Sequence, residues 1–220
     1  ALTDLQEKAS LIHQLDGLDA SQAAYRAIIA LDPKDPYANY NLGMALLKKD
    51  LEDGLTYLRT AIGARKLLLS DAYEPMHSYF VKNNRPSDAE LLKKELDDLQ
   101  EEAKLAVKER ESLNANSLME AFECSEDLKN YLTEVFTSVP QVKEVYLARL
   151  ITRYLPDCTY LILAIEMAGS DEDKLAFSQN VMGYLSMPHE FCVITFDITT
   201  LKMRNKLKDI PETLIYKKSK

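Results

Sequence analysis

Apolar residues in the first half of the chain fall into pairs of helical stripes separated by short polar turns. Between Asp35 and Gly63, Leu42, Gly43 and Leu46 place one small residue between two large ones at helical spacing. Gly54, Leu58 and Ala61 repeat that arrangement after a turn at Lys49 to Leu51. A glycine on each helix lets two backbones approach closely, and the large side chains fill the space beside them. The pattern predicts a helical hairpin, and the same pattern recurs. Ala9, Gly43 and His77 are spaced by 34 residues, as are Ile12, Leu46 and Phe80. Ser21, Gly54 and Ala89 mark the second helices at nearly the same interval. Three hairpins are therefore expected.

These residues resemble the tetratricopeptide repeat, a helix-turn-helix unit of roughly 34 residues. Leu31-Asp32-Pro33 closes the first unit as such units close, since proline cannot continue the preceding helix. The third unit is degenerate: His77 stands where a small residue is expected, Pro75 lies inside the first helix, and Asn83 to Pro86 form the turn. Terminal repeats deviate because one of their faces meets water.

The segment from Ser87 to Ser112 contains neither proline nor glycine and predicts one long helix. Its narrow stripe of Leu92, Leu96, Leu99, Ala103 and Ala106 suits a capping helix on the last repeat, or alternatively a dimer seam through residues 87–112. Residues 113–124 read as a polar linker. Beyond Ser125 the period changes. A helix over Asp127 to Ser138 precedes a strand within Val142 to Tyr154, with Tyr146, Ala148, Leu150 and Thr152 on one side. Thr159 to Met167 is apolar at nearly every position and predicts a central strand. A helix from Ser170 to Leu185, a strand over Phe191 to Ile198, a short basic helix from Leu201 to Lys208 and a strand over Thr213 to Tyr216 complete the order. The fold class expected is two-part. Residues 1–112 form an all-α array of tetratricopeptide-like hairpins, and 125–220 an α+β domain with a roughly four-stranded sheet.

Composition narrows the function. The chain has 220 residues, 46% of them apolar, which is ordinary for a globular core. No apolar run approaches the roughly 20 residues that span a bilayer. A net charge of −8 with dispersed basic residues argues against nucleic acid as the main partner. Three cysteines do not suggest a disulfide framework, and a reducing compartment is the simpler reading. The chain begins at Ala1 without methionine, which is expected of a start that is cut, processed or engineered.

Catalytic motifs are not legible. A zinc H-E-x-x-H helix needs two histidines one turn apart so that both imidazoles reach one metal. His189-Glu190 supplies two letters, but Val193 occupies the second histidine's place. His13 and His77 have no partner at ligand spacing. Cys124, Cys158 and Cys192 share the 34-residue interval, yet their neighbours are a linker, a turn and a strand, so the spacing is coincidental. Neither a C-x-x-C pair nor a glycine-rich phosphate loop nor a nucleophile elbow is present. No catalytic or metal-binding residue is assigned in this chain.

Four stretches nevertheless carry a wider resemblance: KERESLNANSLMEAF (108–122), VKEVYLARLITRYLPDCTYLILAIE (142–166), LSMPHEFCVITFD (185–197) and IPETLIYKK (210–218). Together with the repeats they resemble the region that follows the catalytic part in bacterial membrane-associated zinc metallopeptidases of the HtpX and CAAX-prenyl-protease type. The resemblance implies that the membrane helices and the zinc-binding helix lie upstream. This segment would then be non-catalytic and without a cofactor of its own, zinc belonging to the upstream domain of the parent. It would be cytoplasmic, tethered to the inner membrane through that upstream region. The alternative is a free-standing cytoplasmic tetratricopeptide adaptor with an SseB-like α+β domain. In either case the expected partner is a protein or peptide, with no direct membrane insertion. The repeat resemblance places a partner groove at Gln6, Ser10 and His13, at Tyr37, Tyr40, Asn41, Met44 and Lys48, and at Glu74, Ser78 and Lys82. Tyr40 and Met44 stand where the carboxylate-clamping members of that family carry lysine and asparagine, which implies a mixed apolar groove. The chain's own linker or second domain could also fill it.

Overall fold

Each stripe pair becomes a hairpin in the computed structural model, which describes residues 2–196 and 200–218. The hairpins are α1 (Leu2–Asp16) with α2 (Leu18–Leu31), α3 (Pro36–Lys48) with α4 (Asp53–Ala64), and α5 (Leu68–Lys82) with α6 (Pro86–Glu111). The chain divides into two units, Ala1–Ala103 and Lys104–Lys220, and the division falls inside α6.

Local chemistry sets the helix ends in the first unit. Asp35 caps α3 by accepting the amide of Ala38 at 2.7 Å, and Pro36 supplies a first helical residue whose missing N–H is not needed there. Asp50 (φ 62°) and Asn84 (φ 54°) turn the second and third hairpins in the left-handed region, which short polar side chains tolerate. Between α3 and α4 the approach is as close as the two glycines allow. A Cβ on Gly54 would stand 2.7 Å from the Gly43 carbonyl oxygen, and one on Gly43 would meet Leu58 Cγ at 2.7 Å. Leu42, Leu58 and Ala61 are fully buried around this contact. Gly63, in the last turn of α4, has open space where its Cβ would be. Gly63→Ala is therefore expected to raise the stability of this unit by up to about 1 kcal/mol, through helix propensity alone. A urea melt of the variant would test this.

Ion pairs tie successive turns together. Lys49 meets Asp19 at 3.0 Å, while Lys82 meets Asp50 and Arg85 meets Glu52, each at 2.7 Å. All are exposed, and solvent screening leaves such pairs little net effect on stability. Arg59 of α4 and Lys66 in the turn after it pair with Glu95 and Glu102 of α6. Leu92 and Leu99 of α6 are buried within the chain itself. Two members of the stripe that could have served as a dimer seam are thus already covered.

The second unit is a five-stranded sheet with helices on both faces. Its elements are β1 (Met119–Ala121), α7 (Glu126–Thr137), β2 (Val142–Leu150), β3 (Tyr160–Met167), α8 (Asp171–Tyr184), β4 (Glu190–Thr195), α9 (Leu201–Asp209) and β5 (Leu214–Lys217). The strand order is β1-β2-β3-β4, with β5 also paired to β2. All pairings are antiparallel except β3 with β4, whose parallel arrangement requires the crossover that α8 provides. Ser125 caps α7, and Ser170 with Asp173 forms a capping box on α8.

Two differences from the sequence reading have physical causes. Residues 113–124 are not simply a linker, because Met119 to Ala121 pair with Ala148 to Leu150. Three residues are too few to show alternation. The third strand begins at Glu190 and is described to Thr195; Ile198 lies outside the described residues. β3 is an interior strand, between β2 and β4, as its nearly continuous apolar run predicts. Val145, Leu147, Leu161, Leu163 and Ile165 face α7 and α8, packing with Leu132, Phe136 and Val181. Tyr146, Ala148, Leu150, Ile162 and Ala164 face the opposite way, packing with Met203 and Leu207 of α9.

Candidate functional site

The first helices of the second and third hairpins, α3 and α5, lie side by side, and a recess of about 370 Å³ opens where their C-terminal halves meet. Met44, Leu47 and Lys48 line it from α3 and Pro75, Ser78, Tyr79 and Lys82 from α5, with Leu18 and Asp50 at its margins. Pro75, Ser78, Tyr79 and Lys82 are spaced i, i+3, i+4 and i+7, which puts them on one face of α5. The floor is apolar, with Met44 and Tyr79 half-buried, and the rim is polar, with Lys48, Ser78 and Lys82 exposed. Lys82 is already paired with Asp50 at 2.7 Å. Apolar depth under a sparse polar rim suits an uncharged, largely apolar group.

Of the residues that repeat position singled out, Met44, Lys48, Ser78 and Lys82 converge on this recess. The others do not. Tyr40 is half-buried beside it on α3; burial raises its hydroxyl above the usual tyrosine range, and the nearby Asp71 charge adds to that. Tyr37 is exposed and engaged by Arg65, which contacts its hydroxyl and lies over its ring at 5.3 Å. Asn41 donates to the Tyr37 carbonyl at 2.8 Å. Gln6 donates to Asp35 at 2.7 Å, so this amide braces the α3 cap. His13 is hydrogen-bonded through Nδ1 to Tyr25 at 2.9 Å and serves to join α1 to α2. Ser10 and Glu74 are exposed. Leu47 and Pro75 were missed, although they stand three residues from Met44 and Ser78, and with them Tyr79, four residues beyond Pro75.

The remaining histidines and the thiols do not converge. His77 stacks on Tyr73 at 5.3 Å, and His189, exposed, meets Phe122 edge-on at 5.7 Å. Burial pushes the Cys124 and Cys192 thiols up, which keeps them protonated and poorly nucleophilic. Among the described residues, no group of three His, Cys, Asp or Glu side chains could hold a metal ion, and no helix is long and apolar enough to cross a membrane.

The second unit contains a polar network for which the sequence reading assigned no role. Glu144 of β2 and Glu166 of β3 are cross-strand partners. Glu166 receives Arg204 through Nε at 2.9 Å and through Nη2 at 2.5 and 2.6 Å. Glu144 receives the Tyr146 hydroxyl at 2.5 Å, Lys217 at 2.9 Å and Lys208 at 3.0 Å. The Tyr146 hydrogen bond, followed by the two lysines, holds the Glu144 carboxyl down to about 2 despite its burial. Burial, reinforced by the Glu144 charge, drives the Tyr146 hydroxyl well above the usual range. The sequence shows the parts singly, Glu166 breaking the apolar run of β3 and Arg204 and Lys208 standing i,i+4 on α9, but not that they meet.

Comparison with protein-family models, with curated proteins and with solved structures found no match.

Proposed function

We propose that this chain is a non-catalytic protein-interaction segment, in which the recess between α3 and α5 takes a side chain of a partner polypeptide and so recognises or positions it. One observation carries the reading. Met44 and Lys48 in one repeat, and Ser78 and Lys82 in the next, occupy partner-facing positions of the repeat pattern and line a single cavity with an apolar floor. A second apolar chain segment could bury that floor while Lys48 and the Lys82–Asp50 pair select its flanks. Selection of peptides from a random display library on the 220-residue chain tests this. Enriched peptides should share an apolar residue, and Met44→Asp should weaken them by at least about tenfold, roughly 1.4 kcal/mol. Glu74→Ala, outside the recess, should leave them within about threefold. No enriched class, or equal binding by Met44→Asp, would remove the proposal.

The four resembling stretches support a larger setting, in which the segment belongs to a membrane zinc metallopeptidase and serves its substrate or partner recognition. The complete open reading frame decides that point. An upstream H-E-x-x-H and membrane helices are expected, and a frame without them would leave the adaptor reading in its place.

A further inference from the structure

The polar network of the second unit opens into a recess of about 450 Å³, lined by Lys143, Glu144, Glu166, Arg204, Lys208, Lys217 and Lys218. Its floor, Glu144, Glu166 and Arg204, is half-buried, and its rim of lysines is exposed. Both carboxylates are saturated by groups of the network itself, so neither is left to receive a cation. The lining carries more basic than acidic groups in a chain whose net charge is −8. Lys143 makes no ion pair among the described residues, and the Lys218 ammonium donates to the Pro140 carbonyl at 2.6 Å.

We infer that this recess binds a phosphomonoester, whose dianion is met by the Lys143 ammonium of β2 and the Lys218 ammonium just after β5, beside the lysines that hold Glu144. The type of donor decides between anions. A carboxylate ligand is best held by a planar guanidinium fork, but the fork of Arg204 is committed to Glu166 through Nε and Nη2. Lys143 and Lys218, which no carboxylate holds among the described residues, remain, and they act as point charges, an arrangement suited to a tetrahedral group with several equivalent oxygens. A dianion would also bring the recess close to neutrality, which a monoanion would not. The volume exceeds that of a bare phosphate, so an organic part of the ligand is accommodated.

The phosphomonoester could come from a small metabolite or from a lipid headgroup, and two arms separate these. In the first, phenyl phosphate is titrated into the whole chain while amide chemical shifts of β2, β5 and α9 are followed, with methyl phenyl phosphate as the monoanionic control. In the second, the chain is sedimented with phosphatidylcholine vesicles containing either phosphatidic acid or phosphatidylglycerol. Saturable shifts with phenyl phosphate, at least about fivefold stronger than with its methyl ester, support the site and a small-molecule source. Sedimentation with phosphatidic acid over phosphatidylglycerol supports it with a lipid source. In either arm Lys143→Glu, at an exposed side chain that makes no ion pair among the described residues, should weaken binding at least about fivefold without lowering the melting temperature. Absence of binding in both arms, equal response to the mono- and dianionic probes, or an unaffected Lys143→Glu variant would overturn the inference.

Discussion

Gly54→Ala is expected to cost the first unit about 1–3 kcal/mol, although alanine is the better helix former by about 1 kcal/mol. The added methyl would meet the Gly43 carbonyl oxygen at 2.7 Å and the Leu47 amide nitrogen at 2.8 Å. Both are backbone atoms inside a helix, so neither can turn aside. The two helices must separate, and Leu42 and Leu58 then lose their fit. Gly43→Ala should behave similarly, but the double variant should cost less than the sum, because one separation relieves both clashes. Urea unfolding followed by amide exchange in α3 and α4 reads the effect directly. If Gly54→Ala matched the gain expected of Gly63→Ala, the close approach of α3 and α4 would be refuted.

Acid should weaken the second unit through Glu144. Its folded carboxyl titrates at about 2, against an ordinary value of 4.5. Because the folded value is the lower one, the stabilisation is fully present above pH 4.5 and is lost as pH falls towards 2. A full conversion of that difference would exceed 3 kcal/mol; partial solvation of Lys208 and Lys217 reduces the expected loss to about 2 kcal/mol. Tyr146 acts in the opposite direction. Its raised hydroxyl stabilises fully below pH 10, and that contribution is lost at more alkaline pH. Denaturant melts at pH 6 and pH 3 should show the acid loss in the native chain, and Glu144→Gln should largely abolish it. An equal loss in that variant would place the acid sensitivity elsewhere.

The hairpins were legible because helical periodicity and the 34-residue interval report the same packing twice. Gly43 and Gly54, read from spacing alone, do sit at the crossing. The α+β order was legible for a similar reason: β3 is apolar on both faces, and proline or serine marks the helix boundaries. The site was only partly visible. Repeat position places a residue on a helix face, which found Met44 and Ser78. It cannot say that Gln6 will be spent on Asp35, or His13 on Tyr25, because those bonds depend on helix packing. The Glu144–Glu166 network was invisible for a stronger reason. Its members lie on four separate elements, and only the β2–β3 register and the docking of α9 make them neighbours.

The sheet edge beside β2 has a mechanical consequence. Going down that edge, β1 runs against Leu150 to Ala148 and β5 continues against Tyr146 to Glu144, with the Leu147 amide bonded to the Thr213 carbonyl at the junction. One composite strand is thus assembled from the beginning and the end of the unit. Tension drawn out along the polypeptide at Met119 and at Lys217 would pull the two pieces in opposite directions along β2. Their hydrogen bonds would then be loaded together in shear rather than peeled one after another, so this unit should resist a stretching force better than the shortness of its edge strands suggests.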